Sequence, residues 1–188
     1  MTDYPLRIFC FSGKRKTGKD YVTDILYRRL TPRCVIVRLS APIKRHWAES
    51  KQLNYDQLLS DGEYKENHRL EMIRWGEEER KKDPAFFCRS AIEISNAKEH
   101  PFWIVSDMRR ATDLQFFQEN FSDRVMTVRI SASDNIRKER GFTFTKGIDD
   151  EESECGLDHI DSWNVVIQNE GDNSSLENDI QLLLNFAK

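Results

Sequence analysis

The sequence predicts an α/β domain in which a five-stranded parallel sheet is flanked by helices on both faces. Two features of the 188 residues support this prediction: short apolar runs recur along the chain, and amphipathic helical patterns lie between them. Nearly continuous apolar runs are typical of strands that are buried on both faces. Because strands and helices alternate with short links, the strands are expected to pair in parallel.

Each of the five apolar runs is short and rich in residues that favour strands. The predicted strands are residues 6–11, 34–39, 102–105, 125–130 and 165–168. The first helix is predicted to begin after Gly18, because Val22, Ile25, Leu26 and Leu30 share one apolar face.

The remaining helices are predicted from similar patterns, although one of them is very polar. The very polar helix covers residues 64–82. The others run from Pro84 through Ile92, over residues 112–120 and over residues 175–187. Pro84 is expected to begin its helix, because proline fits the first helical turn. No repeat or Pro-, Gly- or Ser-rich linker divides the chain, so residues 1–188 are expected to form one domain.

Composition excludes several classes of protein. Apolar residues are 38%, charged residues are 32% and the net charge is −3, which excludes collagens, disulfide knots and disordered chains. No apolar run is long enough for a membrane span and the N-terminus lacks signal-peptide features, so no membrane association is expected. The four cysteines are widely spaced, which favours free thiols over a zinc site or disulfides. The C-terminal residues NFAK show no targeting signal, so a cytosolic protein is expected.

The charges are unevenly distributed along the chain. Residues 1–140 carry 27 Lys or Arg and 21 Asp or Glu, whereas residues 141–188 carry 2 and 11. This asymmetry suggests a basic site for an acidic ligand beside an acidic segment. The overall balance argues against broad nucleic-acid binding.

A phosphate-binding loop follows the first predicted strand. The segment FSGKRKTGKD places Gly13, Gly18 and Lys19 at the spacing GxxxxGK. Two glycines let backbone N–H groups surround a phosphate, the next helix presents its positive N-terminus, and Lys19 reaches the β- and γ-phosphates. The general pattern continues with Ser or Thr, but Asp20 stands here and could contact a metal directly or through water. The alternative is a chance basic turn.

The third predicted strand leads into Ser-Asp-Met-Arg-Arg. An acid at the position of Asp107 typically holds the water shell of magnesium in P-loop enzymes. Arg109 and Arg110 follow at the carboxyl edge of the sheet, where α/β folds bind ligands, and guanidinium groups grip phosphate bidentately. The alternative is an Asp that caps a helix, followed by two surface arginines.

Residues 137–156 are predicted to form a mobile lid. They include Arg137, Arg140, several glycines and the acidic run 149–154. Closure would bring Arg137 or Arg140 onto the transferring phosphoryl group and exclude water. A solvated helix and loop is the alternative. The acidic run has no explanation from the sequence alone.

The residues themselves thus indicate a P-loop phosphotransferase with an arginine-rich acceptor site. Over residues 6–184 the chain also resembles the animal-type phosphomevalonate kinases. The resemblance is carried by FSGKRKTGKD, RLSAPIK, MIRWGEEERKKDPAFFCR, WIVSDMRR and DDEESECGLD. Asp20 belongs to this family's version of the phosphate loop. Unlike some members, this chain does not end in a peroxisomal-type tripeptide.

The resemblance implies a P-loop NTPase-like fold similar to nucleoside monophosphate kinases, with a lid. It implies transfer of the γ-phosphoryl group of ATP to (R)-5-phosphomevalonate, giving (R)-5-diphosphomevalonate and ADP in the mevalonate pathway of isoprenoid and sterol synthesis. The attacking phosphate oxygen is already ionised near neutral pH, since its second pKa is about 6, so no general base is expected. A monomer is expected.

The resemblance also implies roles for individual residues. The expected ATP ligands are Gly13, Lys14, Arg15, Lys16, Thr17, Gly18, Lys19, Asp20 and Arg140. The expected acceptor ligands are Arg80, Arg109, Arg110 and Asn169, the last at the nucleotide or substrate edge. Lys19, Arg109 and Arg110 are expected to be catalytic, and Asp20 and Asp107 to hold Mg²⁺, directly or through water. The alternatives are a nucleoside monophosphate kinase and a non-enzymatic module that binds RNA or a partner through its basic half.

Overall fold

Five parallel strands form the centre of the molecule. The structure is a computed structural model that describes residues 5–59 and 63–188. The strands are β1 (Arg7–Ser12), β2 (Cys34–Val37), β3 (Phe102–Val105), β4 (Val125–Ser131) and β5 (Val165–Gln168). They pair in the order β2-β3-β1-β4-β5, and every pairing is parallel. The predicted five-stranded parallel sheet is confirmed, with strand ends within two residues of the expected positions.

Helices connect the strands on both sides of the sheet. They are α1 (Lys19–Leu30), α2 (Ala41–Lys51), α3 (Tyr55–Leu59), α4 (Glu63–Lys82), α5 (Phe86–Ile94), α6 (Ala111–Phe121), α7 (Asp134–Glu139), α8 (Glu152–Cys155) and α9 (Asn173–Phe186). The sequence did not predict α2 or α3. The expectation for Pro84 was wrong: α5 begins at Phe86, and Pro84 lies in a turn closed by a hydrogen bond from the Phe86 N–H to the Asp83 carbonyl.

Two apolar layers bury the two faces of the sheet. On one face, α5 and α6 cover Ile8, Cys10 and Trp103. On the other face, α1 and α9 cover Phe9 and Phe11. Alternate residues of β1 therefore enter opposite layers, which explains why residues 8–11 are all apolar. Each large apolar side chain buried in this way contributes about 1.5–3 kcal/mol to stability.

A third apolar cluster joins α2, α3 and α4 beside the sheet. Trp47, Leu58 and Met72 are buried within it, and the His46 imidazole stacks on the Trp75 ring with centroids 4.0 Å apart. These three helices follow the carboxyl end of β2. They therefore form a wall next to the edge of the sheet at which β1 and β3 also end.

The cysteines are free thiols, and Cys10, Cys34 and Cys88 are buried. Within residues 5–59 and 63–188, no helix combines the length and the apolar character that crossing a bilayer requires.

Candidate active site

The loop between β1 and α1 has the backbone shape of a phosphate cradle. Lys16 and Gly18 adopt left-handed conformations, with φ of 65° and 85°. A Cβ atom at Gly13 would lie 2.7 Å from the Ile130 carbonyl oxygen, so the close approach of the loop to β4 requires glycine. Thr17 Oγ1 donates a hydrogen bond to the Lys14 carbonyl at 2.9 Å and closes the loop.

Lys19 and Asp20 begin α1 in very different environments. Lys19 is 9% exposed, and its Nζ lies 3.0 Å from Asp20 Oδ1. The Asp20 side chain is 86% exposed. The Lys19 ammonium and the positive end of α1 therefore face the same small volume, which is suited to an anion.

Asp107 connects β3 to the start of α2. Its Oδ1 accepts a hydrogen bond from the Leu39 N–H at 2.6 Å, and its Oδ2 accepts one from the Ser40 N–H at 3.1 Å. Burial opposes ionisation of this carboxyl, but the Lys19 charge and the Ser40 hydrogen bond hold its pKa below the ordinary value. Asp107 is therefore a half-buried, ionised carboxylate near the phosphate loop.

Arg109 and Arg110 are oriented by acidic residues from three other positions. Asp113 Oδ2 accepts hydrogen bonds from both backbone N–H groups, at 3.3 and 3.1 Å. The Arg110 guanidinium pairs with Glu77 of α4, and the Arg109 guanidinium pairs with Glu154 of α8. Arg110 is 4% exposed. The alternative of two surface arginines is therefore excluded.

Arg80 approaches the same region from α4. Its guanidinium lies 4.5 Å from the centroid of the Phe87 ring, and its Nη2 lies 3.9 Å from Asp113 Oδ1. Its Nε is buried without a hydrogen-bond partner among the residues that the structure describes. Arg80 is thus held on an aromatic face and retains donors for a further anion.

Arginines of the predicted lid segment, residues 137–156, contact the phosphate loop. Arg137 Nε donates to the Arg15 carbonyl at 3.0 Å. Arg140 donates to the Thr17 carbonyl at 3.0 Å and to the Asn169 carbonyl at 2.9 Å. Asn169 Nδ2 also donates to the Thr17 carbonyl, at 2.8 Å. These arginines are not part of a solvated surface helix.

The acidic run of this segment also pairs with the phosphate loop. Both Asp149 carboxylate oxygens lie 3.1 Å from Arg15 Nη1. Just beyond the segment, Asp158 Oδ2 lies 2.7 Å from Lys14 Nζ. The sequence left this run unexplained. The structure assigns two of its carboxylates, Asp149 and Glu154, to arginines of the site.

A cavity of about 550 Å³ opens where these elements meet at the carboxyl edge of the sheet. Among the described residues that line it, eleven are Lys or Arg and five are Asp or Glu. The predicted site residues that line it are Gly13, Lys14, Arg15, Lys16, Gly18, Lys19, Asp20, Arg80, Asp107, Arg109 and Arg110. Thr17, Arg140 and Asn169 contact one another at the phosphate loop and do not line this cavity.

Four further cations line the cavity, and none of them was among the site residues predicted from the sequence. They are Arg38, Lys44, Lys65 and Arg69. A local signal exists for the last two, because their i, i+4 spacing on α4 continues to Ile73 and Glu77 on the same face. Burial lowers the pKa of Lys44 to about 8, against the opposing effect of Asp107, and nearby Lys65, Arg38 and Arg109 lower it further.

The donor groups fit magnesium that is bound together with phosphates. Within the described part of the chain, no cluster of three or more His, Cys, Asp or Glu could hold a metal by itself. Mg²⁺ usually keeps several waters and binds through one or two carboxylates plus substrate phosphates. Asp20 and Asp107 flank Lys19 and supply carboxylates of that kind.

Solved structures share this fold at low sequence identity. A crystal structure from Thermus thermophilus aligns with a TM-score of 0.56 at 16% identity, covering 97% of this chain and 98% of its own. A gluconokinase from Sinorhizobium meliloti 1021 aligns with a TM-score of 0.50 at 13% identity, covering 98% of this chain and 99% of its own. At these identities the likeness concerns the fold alone.

The sheet order, the phosphate loop and the cation-rich cavity define the protein as a P-loop phosphotransferase. A family model described as phosphomevalonate kinase matches residues 11–123. A curated phosphomevalonate kinase from Drosophila melanogaster is 46% identical over 168 residues, covering 88% of this chain and 89% of that protein. The chain belongs to the phosphomevalonate kinase family.

Proposed function

We propose that this protein transfers the γ-phosphoryl group of ATP to (R)-5-phosphomevalonate, giving (R)-5-diphosphomevalonate and ADP. The observation that carries the proposal is the shared cavity: the phosphate loop forms one wall, and Arg80, Arg109 and Arg110 line the same space. A phosphoryl donor and a phosphate-bearing acceptor can therefore meet there. Membership of the phosphomevalonate kinase family identifies the acceptor.

The nucleotide side is assigned to the phosphate loop. The proposed ATP ligands are Gly13, Lys14, Arg15, Lys16, Thr17, Gly18, Lys19, Asp20 and Arg140, as the sequence predicted. Asn169 shares the Thr17 carbonyl with Arg140, which favours the nucleotide side for it over the acceptor side. Lys19 interacts with the transferring phosphoryl group.

The acceptor side is assigned to the arginines across the cavity. Arg80, Arg109 and Arg110 bind the acceptor phosphate, and Lys44 and Arg69 add positive charge beside them. Apolar side chains of Ile43, Met72 and Ile73 line the same cavity. A short aliphatic chain that carries a phosphate fits this combination of cations and aliphatic surface.

The chemistry follows from the charges. Both reactants are anions, so their repulsion is the first barrier, and fixed cations lower it while they align the attacking oxygen with the γ-phosphorus. No general base is needed, because the attacking phosphate oxygen is ionised once the pH exceeds its pKa of about 6. Asp20 and Asp107 would hold Mg²⁺, directly or through water, and the ion would supply positive charge that offsets the negative charge of the phosphates.

Residues 137–156 are proposed to act as a lid over the nucleotide. The hydrogen bonds from Arg137 and Arg140 to carbonyls of the phosphate loop support this role, because they place both arginines beside the loop that is proposed to bind ATP. We also propose a cytosolic monomer. The free thiols favour a reducing compartment.

The direct test is a coupled assay of ADP release with purified protein, ATP and Mg²⁺. Phosphomevalonate is expected to support turnover, whereas AMP, CMP and UMP are expected to give rates near the no-acceptor background. A nucleoside monophosphate that supports faster turnover than phosphomevalonate would overturn the proposal in favour of a nucleoside monophosphate kinase. Salt-dependent RNA binding without turnover of any acceptor would favour the non-enzymatic alternative.

A further inference from the structure

Arg109 is fixed by a segment that lies far away in the sequence. Its Nη1 pairs with Glu154 Oε1 and also donates to the Ser153 carbonyl at 3.0 Å. The backbones are equally close, since a Cβ atom at Gly156 would lie 2.9 Å from the Arg109 carbonyl oxygen. Both the side chain and the main chain of Arg109 therefore rest on residues 153–156.

Glu154 is unusually buried for an acidic residue. Its side chain is 4% exposed, and its Oε2 has no hydrogen-bond partner within the described residues. A buried carboxylate is unfavourable unless a cation compensates it. Glu151 and Glu152, which belong to the same acidic run, are exposed. The burial of Glu154 is thus specifically linked to Arg109.

The pairing leaves part of the Arg109 guanidinium available. Arg109 lines the cavity, and its side chain is 33% exposed. Its Nη1 is occupied by Glu154 and Ser153, whereas Nε and Nη2 have no partner in the described part of the chain. An arginine edge with two parallel N–H groups is the geometry that grips a phosphate bidentately.

We propose that Glu154 is a positioning residue: it holds Nη1 of Arg109 so that the Nε and Nη2 edge faces the acceptor phosphate. This inference rests on the proposed function, in which Arg109 binds phosphomevalonate. A long arginine side chain loses much rotamer freedom when it is ordered. Glu154 orders it before the acceptor arrives, so the acceptor binds to a guanidinium that is already in place.

The test compares Glu154→Gln with Glu151→Gln, which removes an exposed carboxylate from the same run. Glu154→Gln is expected to raise the KM for phosphomevalonate about tenfold and to change the KM for ATP less than about twofold. Glu151→Gln is expected to leave both KM values unchanged. Equal effects of Glu154→Gln on both substrates, or no effect on either, would overturn the inference.

A double-mutant cycle separates positioning from a general structural role. If Glu154 acts through Arg109, Glu154→Gln should have little further effect on kcat/KM in an Arg109→Met background. Additive losses in the double variant would contradict the proposal. Melting curves identify any variant that fails to fold, and Glu154→Asp then replaces Glu154→Gln: it keeps the charge on a shorter side chain and should show the same selective loss for the acceptor.

The same cycle can be measured without turnover. Calorimetry with inorganic pyrophosphate reports anion binding at the Arg109 edge as the difference in affinity between the wild-type protein and Arg109→Met, whether or not the enzyme uses phosphomevalonate. A wild-type protein that turns over no phosphomevalonate would reject the proposed function, yet coupling between Glu154 and Arg109 in pyrophosphate affinity would still support the positioning role. Absence of that coupling would reject the positioning role alone.

Discussion

At the start of α1, two neighbouring charged side chains differ in solvent exposure, and this difference determines which ligand each can bind. Lys19 is 9% exposed and points its ammonium toward the cavity, whereas the adjacent Asp20 carboxylate is 86% exposed. A buried ammonium attracts phosphate more strongly than an exposed one, because less water screens it. The exposed carboxylate remains accessible to a hydrated metal ion.

Lys19→Met should lower kcat by a factor of about 100–1,000, because a preorganised donor to a developing charge contributes about 3–4 kcal/mol. The fold should survive, since the side chain has a single ion pair, with Asp20, in the described structure. Steady-state kinetics and a melting curve check both statements. Lys81→Met, on the exposed face of α4, is the control; near-normal turnover by the Lys19 variant would reject the assignment of the loop.

Arg110→Leu should mainly impair use of the acceptor. Hydrogen bonds to charged groups contribute about 1.5–3 kcal/mol, so the KM for phosphomevalonate should rise roughly 10–150-fold while the KM for ATP changes little. Arg74→Leu removes an exposed arginine from α4 and serves as the matched control. Unchanged kinetics with phosphomevalonate would mean that Arg110 does not bind the acceptor.

Lys44 should cause the pH profile of kcat/KM for the acceptor to fall on its alkaline side. Burial lowers its pKa to about 8, so the side chain loses its positive charge as the pH rises through that value. The value of kcat/KM for the acceptor reports groups of the free enzyme and should fall above about pH 8. In Lys44→Arg this fall should move to higher pH, because arginine stays protonated. An identical fall in both proteins would show that another group titrates.

At the scale of elements, strands and helices were predicted correctly from the sequence where neighbouring residues alone carried the pattern. The strands were located because each contains a short apolar run: β1 and β3 are buried on both faces, and β5 is buried at alternate residues. Helices α2 and α3 were missed because their stability comes from mutual packing of Trp47, Leu58 and Met72 rather than from a long periodic face. Pro42, in the first turn of α2, was the available signal.

The same distinction applies to the candidate site. The phosphate loop and the Asp107–Arg110 segment are contiguous motifs, and the structure places most of their residues around one cavity. The acidic partners were not identified, because Glu77 lies 33 residues before Arg110 and Asp149 lies 134 residues after Arg15. Pairs so distant in the chain leave no spacing that a single sequence can reveal.

Gly18→Ala should disrupt the junction between the loop and α1. A left-handed non-glycine residue costs about 1–2 kcal/mol, and the new Cβ would lie 2.2 Å from Asn169 Nδ2. The melting temperature should fall by more than the 2–8 °C or so that the backbone cost alone produces. Gly171→Ala isolates that cost, because Gly171 has φ of 96° and no described atom within 4 Å of the added Cβ. Equal shifts for the two variants would show that contact with Asn169 is unimportant.

At the scale of the whole molecule, the net charge of −3 conceals a concentrated cationic cavity. The topology produces this concentration, since parallel strands bring the connections after β1, β2 and β3 to one edge of the sheet. The acidic residues of the C-terminal part return to the same edge through Asp149, Glu154 and Asp158. The two halves of the charge distribution therefore meet at the site.

Inorganic pyrophosphate should stabilise the folded protein, because it binds the cavity and not the unfolded chain. At a concentration of 100 times Kd the gain is about 2.7 kcal/mol, which corresponds to a rise in Tm of about 5–10 °C for a chain of this size. Sodium chloride at matched ionic strength should produce a much smaller rise. Lys19→Met should reduce the pyrophosphate effect; an equal effect of chloride would argue against a specific polyanion site.

The ion pairs around the cavity affect how the protein responds to the surrounding solution. A cluster of cations usually collects small anions from the buffer, and a polyanion must release them when it binds. Here at least seven of the eleven described cations that line the cavity have a carboxylate within 4 Å on the same chain. These carboxylates act as built-in counterions. Substrate affinity should therefore decline less steeply with added salt than eleven bare cations would require.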